Sequence, residues 1–217
     1  MAKKVFLGVG HGGSDPGAVA NGFKEKDLNL DIAFACFYEL ERHSVQVMMS
    51  RKGDEEDSLT EEINECNKYN PDLAVDIHNN AGGGDGAEAY YHYGGGLSKT
   101  AAENILSEIV KIGQNSRGAK TRKGSDGRDY YGFIRETVPP AVIVECAFVD
   151  NANDMQIIDT KAEREKMGIA IAKGILSTLG VAYKAPVVQE PKPVAKEYVL
   201  DVAKLKADGY TKIVVNI

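Results

Sequence analysis

Short apolar runs that end on an ionisable residue most limit how this chain can fold. Val5–Val9, "LAVDIH" (Leu73–His78) and "AVIVEC" (Ala141–Cys146) suit buried strands of an interior sheet. Between them lie stretches rich in helix formers. One starts at Glu25 ("EKDLNLDIAFACFYELERH"), and one runs from the capping-box spacing Ser58-Leu-Thr-Glu61 to about Tyr69. A third, capped by Ser98, puts Ala102, Ile105, Ile109 and Ile112 on one face, and a fourth covers Lys161–Leu179 with Gly180 as its cap. Val45–Met49 and Ala87–Tyr93 supply further strands. Strands alternating with helices predict an α/β fold, a twisted and mostly parallel sheet flanked by helices.

The chain has 217 residues, enough for a self-sufficient core. Residues 1–183 read as one domain. Three of the seven prolines then fall in "YKAPVVQEPKPVAKEY", so residues 184–198 read as an extended linker. The tail, residues 199–217, is too short to bury a core alone; it docks on the main domain or begins a second module. A net charge of −6 argues against nucleic acid as a partner, since phosphate binding needs a concentrated basic surface. Cys36, Cys66 and Cys146 are odd in number and form no CxxC, which fits free thiols in a reducing cytoplasm and neither a disulfide framework nor a cysteine metal site. The start "MAKKVFLGVG" is broken by glycine too early for a signal peptide or a membrane span, so membrane insertion is not expected.

The first apolar run passes into Gly8-x-Gly10-x-x-Gly13, the spacing of a dinucleotide-binding loop. Such a loop needs a helix to begin at its third glycine. Here Ser14, Asp15, Pro16 and Gly17 follow, all turn formers, and no helix can begin before about residue 24. The dinucleotide reading is set aside. What the loop carries is His11, at the C-terminal end of a strand, the edge where open α/β sheets bind ligands.

His78 leaves a second strand at the same edge, into the loop "NNAGGGDG". Two such histidines can converge on one point. Glu25 opens the first helix directly after the glycine loop, where the helix dipole also favours a carboxylate. Glu145 interrupts an otherwise apolar run, and an unpaired buried carboxylate costs several kcal/mol in order of magnitude. It therefore lies at an exposed strand end, in a pair, or beside a metal. Two histidines and one carboxylate make a catalytic zinc shell with a position left for water. The short HExxH motif is absent, so the ligands come from separate strands. A further carboxylate that does not ligate can take a proton from water and pass it to a leaving amine, a role that suits Glu145.

"VGHGGSDPGAVANGFKEKDLNLDIA", "LAVDIHNNA", "GAEAYY" and "PPAVIVECAFVDNANDMQ" occur in this order over residues 3 to about 180, and they strongly resemble zinc-dependent N-acetylmuramoyl-L-alanine amidases of the amidase-3 type. The resemblance implies a six-stranded amidase-3-like sheet, and cleavage of the amide between N-acetylmuramic acid and L-alanine in peptidoglycan. Carried across motif by motif, it implies His11, Glu25 and His78 as zinc ligands and Glu145 as the catalytic glutamate. Some positions depart from the family pattern. Asp76 stands where serine is usual, Asn79 replaces a small residue, "EEINECN" lacks the arginine usual in that helix, and Cys146 follows Glu145 where leucine or serine-like residues are common.

The expectation is thus an endolysin-like zinc amidase acting as a monomer on the cell wall. Lacking a signal peptide, it would be made in a bacterial cytoplasm, of phage or prophage origin, and released by a pore protein. Two alternatives are a peptidoglycan-binding module that no longer cuts, and a zinc peptidase or deacetylase acting on another wall bond. Arg135 is a candidate for holding a stem-peptide carboxylate bidentately. Tyr90, Tyr91, Tyr93, Tyr130 and Tyr131 could line a groove, although strand tyrosines usually pack. His43 and His92 read as surface residues.

Overall fold

The computed structural model describes residues 2–186 and residue 207. The expected linker and tail fall, apart from residues 184–186 and 207, outside the described residues. Residues up to Lys184 form one compact unit. In chain order its elements are β1 (Lys4–Val9), the two-residue strands β2 (Val19–Ala20) and β3 (Phe23–Lys24), α1 (Glu25–Arg42), β4 (Gln46–Met49), α2 (Leu59–Tyr69), β5 (Leu73–Asn80), β6 (Ala87–Tyr91), α3 (Leu97–Lys111), β7 (Ser116–Lys120), α4 (Gly132–Glu136), β8 (Ala141–Phe148), α5 (Ala152–Met155) and α6 (Lys161–Thr178). Among the described residues, no helix is long and apolar enough to cross a membrane.

The six-stranded sheet has the order β4-β1-β5-β8-β6-β7. All neighbours are parallel except β6 and β8. Side chains alternate between its faces, so each strand contributes to two different environments. On one face Val5, Leu7, Val9, Leu73, Val75, Ile77, Ala87, Ala89, Val142, Val144 and Cys146 are buried with the apolar sides of α1, α3 and α6. Gly168 of α6 lets that helix touch α1: a Cβ there would stand 2.4 Å from the Ile32 carbonyl oxygen and 2.5 Å from the Ala35 Cβ. The other face holds a smaller cluster built from Phe6, Cys66, Ala74, Phe133, Ile134, Ala141 and Ile143, under α2 and α4. Towards the C-terminal ends of β1, β5 and β8 this second face turns polar, and Gly8, Gly10, Asp76, His78 and Glu145 follow Phe6, Ala74 and Ile143 at two-residue steps.

Local signals explain most boundaries. The Ser58–Glu61 capping box is present, and Thr160–Glu163 forms a second one at the start of α6. Each such cap contributes about 1 kcal/mol. Gly180 follows α6 with φ 69°, the left-handed conformation that closes a helix. Three readings are corrected. Gly96, not Ser98, is the N-cap of α3; the Ser98 hydroxyl instead donates to the Gly95 carbonyl. The sixth strand is β7, whose polar sequence SRGAK gives an edge strand without apolar alternation, in a stretch the sequence leaves without an assigned element. His43 is buried, not at the surface: its Nε2 accepts from the Lys184 backbone N–H at 2.8 Å, and its ring stacks on Tyr183.

Candidate active site

His11 follows β1 and has φ 64°, an uncommon conformation for a residue with a side chain and one that tends to occur at functional sites. The loop around it is tied down by a residue the sequence reading missed. The buried guanidinium of Arg51 donates from Nε to the Val9 carbonyl at 3.0 Å, and from Nη2 to the carbonyls of Gly10 at 3.3 Å and Lys26 at 2.7 Å. Lys26 in turn donates to the Gly13 carbonyl and to Asp54, each at 2.8 Å. An arginine after an unremarkable strand carries no sequence signal of this kind; its role follows from carbonyls that converge only in the fold.

Glu25 is the first residue of α1 and is buried. Its carboxylate lies between the two histidines, with Oε2 3.2 Å from His11 Nε2 and Oε1 3.1 Å from His78 Nδ1. Backbone N–H groups of Ala18 and Asn79 donate to it at 2.9 and 3.0 Å. Burial alone would raise its pKa, but the hydrogen bonds from His11 and His78 outweigh that and hold it well below the ordinary carboxylate range.

Each histidine also has a carboxylate on its other nitrogen. Asp15 Oδ2 lies 2.8 Å from His11 Nδ1, and Asp76 Oδ2 lies 3.0 Å from His78 Nε2. Gly10 is needed here, because a Cβ would fall 2.1 Å from His78 Cε1. The glycine spacing that resembled a phosphate loop thus makes room for an imidazole.

These residues fit a metal ion. One ligand atom from each of His11, Glu25 and His78 lies within 4.8 Å of the others. Donors about 2.0–2.1 Å from a tetrahedral zinc ion lie about 3.3 Å apart, close to the His–Glu separations here. Two nitrogens and one oxygen are also the donor types that zinc takes in catalytic sites.

Glu145 pairs in register with His78 on β5 and with Glu88 on β6, so the three side chains form a row across three strands. Its Oε2 is buried without a hydrogen-bond partner. Burial, aided by the neighbouring Glu25, Asp76 and Glu88 and opposed by His78, pushes its carboxyl up to about 7. Such a group exchanges a proton readily near neutral pH.

The row continues into a basic end. Glu88 Oε2 accepts from Arg117 Nε at 2.7 Å and from Lys120, and the Arg122 guanidinium lies 3.7 Å over the Tyr130 ring. The opposite end is acidic, where a cavity of about 190 Å³ is lined by His11, Asp15, Asp57, Glu62, Asp76 and His78. Arg135 lies apart from this row. Its donors go to the Asp129 and Tyr130 carbonyls and to Glu136, and it lines a different cavity with His92 and Val138. Tyr90 and Tyr131 pack with ring centroids 4.7 Å apart, and the Tyr90 hydroxyl donates to Glu88.

The family described as N-acetylmuramoyl-L-alanine amidase matches residues 5–177. The chain is 37% identical over 186 residues to the N-acetylmuramoyl-L-alanine amidase CwlM of Bacillus licheniformis, covering 84% of this chain and 71% of that protein. It is 31% identical over 223 residues to the endolysin of Bacillus phage SPP1, covering 97% of this chain and 79% of that protein. Among solved structures, Cwp6 from Clostridium difficile is similar with a TM-score of 0.81 at 38% identity, covering 82% of this chain but only 30% of that longer one.

Proposed function

Because this chain belongs to the N-acetylmuramoyl-L-alanine amidase family, we propose that it hydrolyses the amide between the lactyl group of N-acetylmuramic acid and the L-alanine of the peptidoglycan stem, with zinc held by His11, Glu25 and His78. The observation that carries this reading is the placement of Glu145. A half-buried glutamate, with a buried and unpartnered Oε2 and a carboxyl pushed up to about 7, stands beside an N,O,N cluster on the polar face of the sheet.

Amide hydrolysis needs a polarised carbonyl, a deprotonated water and a protonated leaving amine. A zinc ion at the cluster would supply Lewis acidity towards a carbonyl oxygen and towards water. Glu145 takes the proton as the water oxygen adds to the lactyl carbonyl carbon. The same proton passes to the L-alanine nitrogen as the C–N bond breaks, leaving a lactyl carboxylate and a free amine. Asp15 and Asp76 orient the two imidazoles. The polarity of the site favours one substrate direction: the carboxylate-bearing stem peptide lies over Arg117 and Lys120, away from the acidic end. The SPP1 endolysin, matched over nearly the whole chain, supports an endolysin-like role on the cell wall.

Mass spectrometry of the products from purified peptidoglycan, with zinc and with Glu145→Gln in parallel, tests this. New L-alanine amino termini and peptide-free glycan, lost in the variant, are the expected result. Cleavage inside the peptide would make the enzyme a zinc peptidase. Zinc binding without any cleavage would make it a binding module.

A further inference from the structure

Asp76 and His78 are two residues apart on β5 and share one face of the sheet. Asp76 Oδ2 lies 3.0 Å from His78 Nε2, while His78 Nδ1 faces Glu25. Both nitrogens therefore face carboxylates, which only accept; for Nδ1 to present a lone pair to a metal, the one hydrogen of the neutral ring must sit on Nε2, against Asp76. The second oxygen of Asp76 is buried and without a partner, and so is Glu62 Oε1 on α2. Both oxygens press on the same backbone position: a Cβ on Gly8 would stand 2.1 Å from Glu62 Oε1 and 2.7 Å from Asp76 Oδ1. Burial holds the Glu62 carboxyl towards its protonated form, and a protonated Glu62 can donate to the unpartnered Asp76 oxygen that converges with it over Gly8.

We propose that Asp76 is a positioning residue for His78, fixing the ring with Nδ1 towards the metal, and that Glu62 braces Asp76 from behind by hydrogen-bonding its other oxygen. The proposal rests on the reading of His11, Glu25 and His78 as metal ligands. It assigns a purpose to two departures from the family pattern at once, the aspartate at the usual serine position and the acidic helix that lacks its arginine. The two carboxyls and His78 act as one chain of contacts from α2 through β5, and Gly8 on β1 leaves space for it. Removing the outer link loosens the inner one, because Asp76 then has a buried oxygen with nothing to hold it.

The test is zinc affinity of the full chain by competition with a chromogenic chelator, together with the visible spectrum of the cobalt-substituted protein and the ¹⁵N shifts of His78. Asp76→Ala is expected to weaken zinc binding by about 10–100-fold, to alter the cobalt bands and to shift the His78 nitrogens, while the metal-free fold holds by circular dichroism. Asp76→Asn, whose amide oxygen still accepts from Nε2, is expected to recover part of that loss. Glu62→Gln keeps a donor towards Asp76 and should stay close to the parent affinity, whereas Glu62→Leu should follow Asp76→Ala. Unchanged affinity and unchanged cobalt bands in Asp76→Ala overturn the proposal, whatever the wall products are. Equal affinities for Glu62→Gln and Glu62→Leu overturn the bracing role. A parent chain that binds no zinc overturns both this proposal and the metal-centre reading. Asp76-dependent zinc binding without any wall product sinks the amidase reading alone.

Discussion

Glu145 lies directly opposite His78 in the parallel β5–β8 ladder, with both side chains on the sheet face that also carries Asp76 and Glu88. The proton-handling carboxyl and a metal-facing imidazole are thereby fixed one strand apart, at the usual spacing of about 4.8 Å. Glu145→Gln keeps the size of the side chain and removes the proton acceptor. Turnover is expected to fall by about 10²–10⁴-fold, with zinc stoichiometry and thermal midpoint retained. A variant that keeps more than a tenth of the parent rate would remove Glu145 from the chemistry.

The pH profile follows from the same residue. Burial first, then the surrounding carboxylates, hold Glu145 at about 7. Its ionised form is the one that accepts the proton, so kcat/KM rises with pH. A cation at the cluster favours the carboxylate, so the ascending limb is expected at or below about 7. Initial rates on a soluble muramyl peptide between about pH 4 and 9 measure it. A limb that persists unchanged in Glu145→Gln would belong to another group.

Glu62 affects stability in the opposite sense to most carboxyls. Burial, then Asp76 and Asp57, raise its pKa well above the ordinary range. The folded chain therefore binds a proton that the unfolded chain releases above about pH 4.3. Stability is lost as pH rises from there, by about 1.4 kcal/mol per pH unit until Glu62 ionises in the fold. Glu62→Gln removes that slope. Urea unfolding should show the variant more stable than the parent at neutral pH, with the gain shrinking towards about pH 4. A gain independent of pH would mean that the glutamate is not held neutral.

Chelation should leave the fold standing. Glu25 remains hydrogen-bonded to His11, His78, Ala18 and Asn79 without a metal. At a hundredfold excess over its dissociation constant, zinc adds about 2.7 kcal/mol. For a unit of this size, that corresponds to a rise in Tm of about 5–10 °C. Calorimetry with and without a chelator measures the difference, and complete unfolding on chelation would contradict the preformed cluster.

Arg117 and Lys120 should contribute to substrate affinity more than to the chemical step. Replacing both with glutamine is expected to raise KM for a muramyl peptide bearing a free glutamyl carboxylate by about tenfold, equivalent to about 1.4 kcal/mol, with kcat nearly constant. The amidated analogue should be much less affected. Equal losses on both substrates would show that the two cations act through Glu88 alone.

The sequence exposes the centre of this site more clearly than its surroundings. His11, Glu25, His78 and Glu145 stand out because each breaks or terminates an apolar run or opens a helix, positions where an ionisable residue needs a reason. The alternation of strands and helices likewise makes the α/β layering readable. The β7 strand was missed because an edge strand of small and charged residues leaves no apolar period, so Arg117 and Lys120 were missed with it. Arg51 and Glu62 owe their roles to backbone from other strands, the carbonyls of Val9 and Gly10 and the bare Cα of Gly8. His43 was misread because its ring fills a gap closed by Tyr183 and Lys184, about 140 residues away in the chain.

The contact at Gly168 reaches further than the packing of two helices. α6 rests on α1 at Ile32 and Ala35, within three turns of the first residue of α1, Glu25. The rear of the molecule therefore acts as a gauge block: the depth to which α6 seats fixes how far α1 projects, and with it the height at which the Glu25 carboxylate meets the two imidazoles. A single methyl at position 168 would reset that height from the far side of the sheet, so the accuracy of the front of this protein depends on an atom missing at its back.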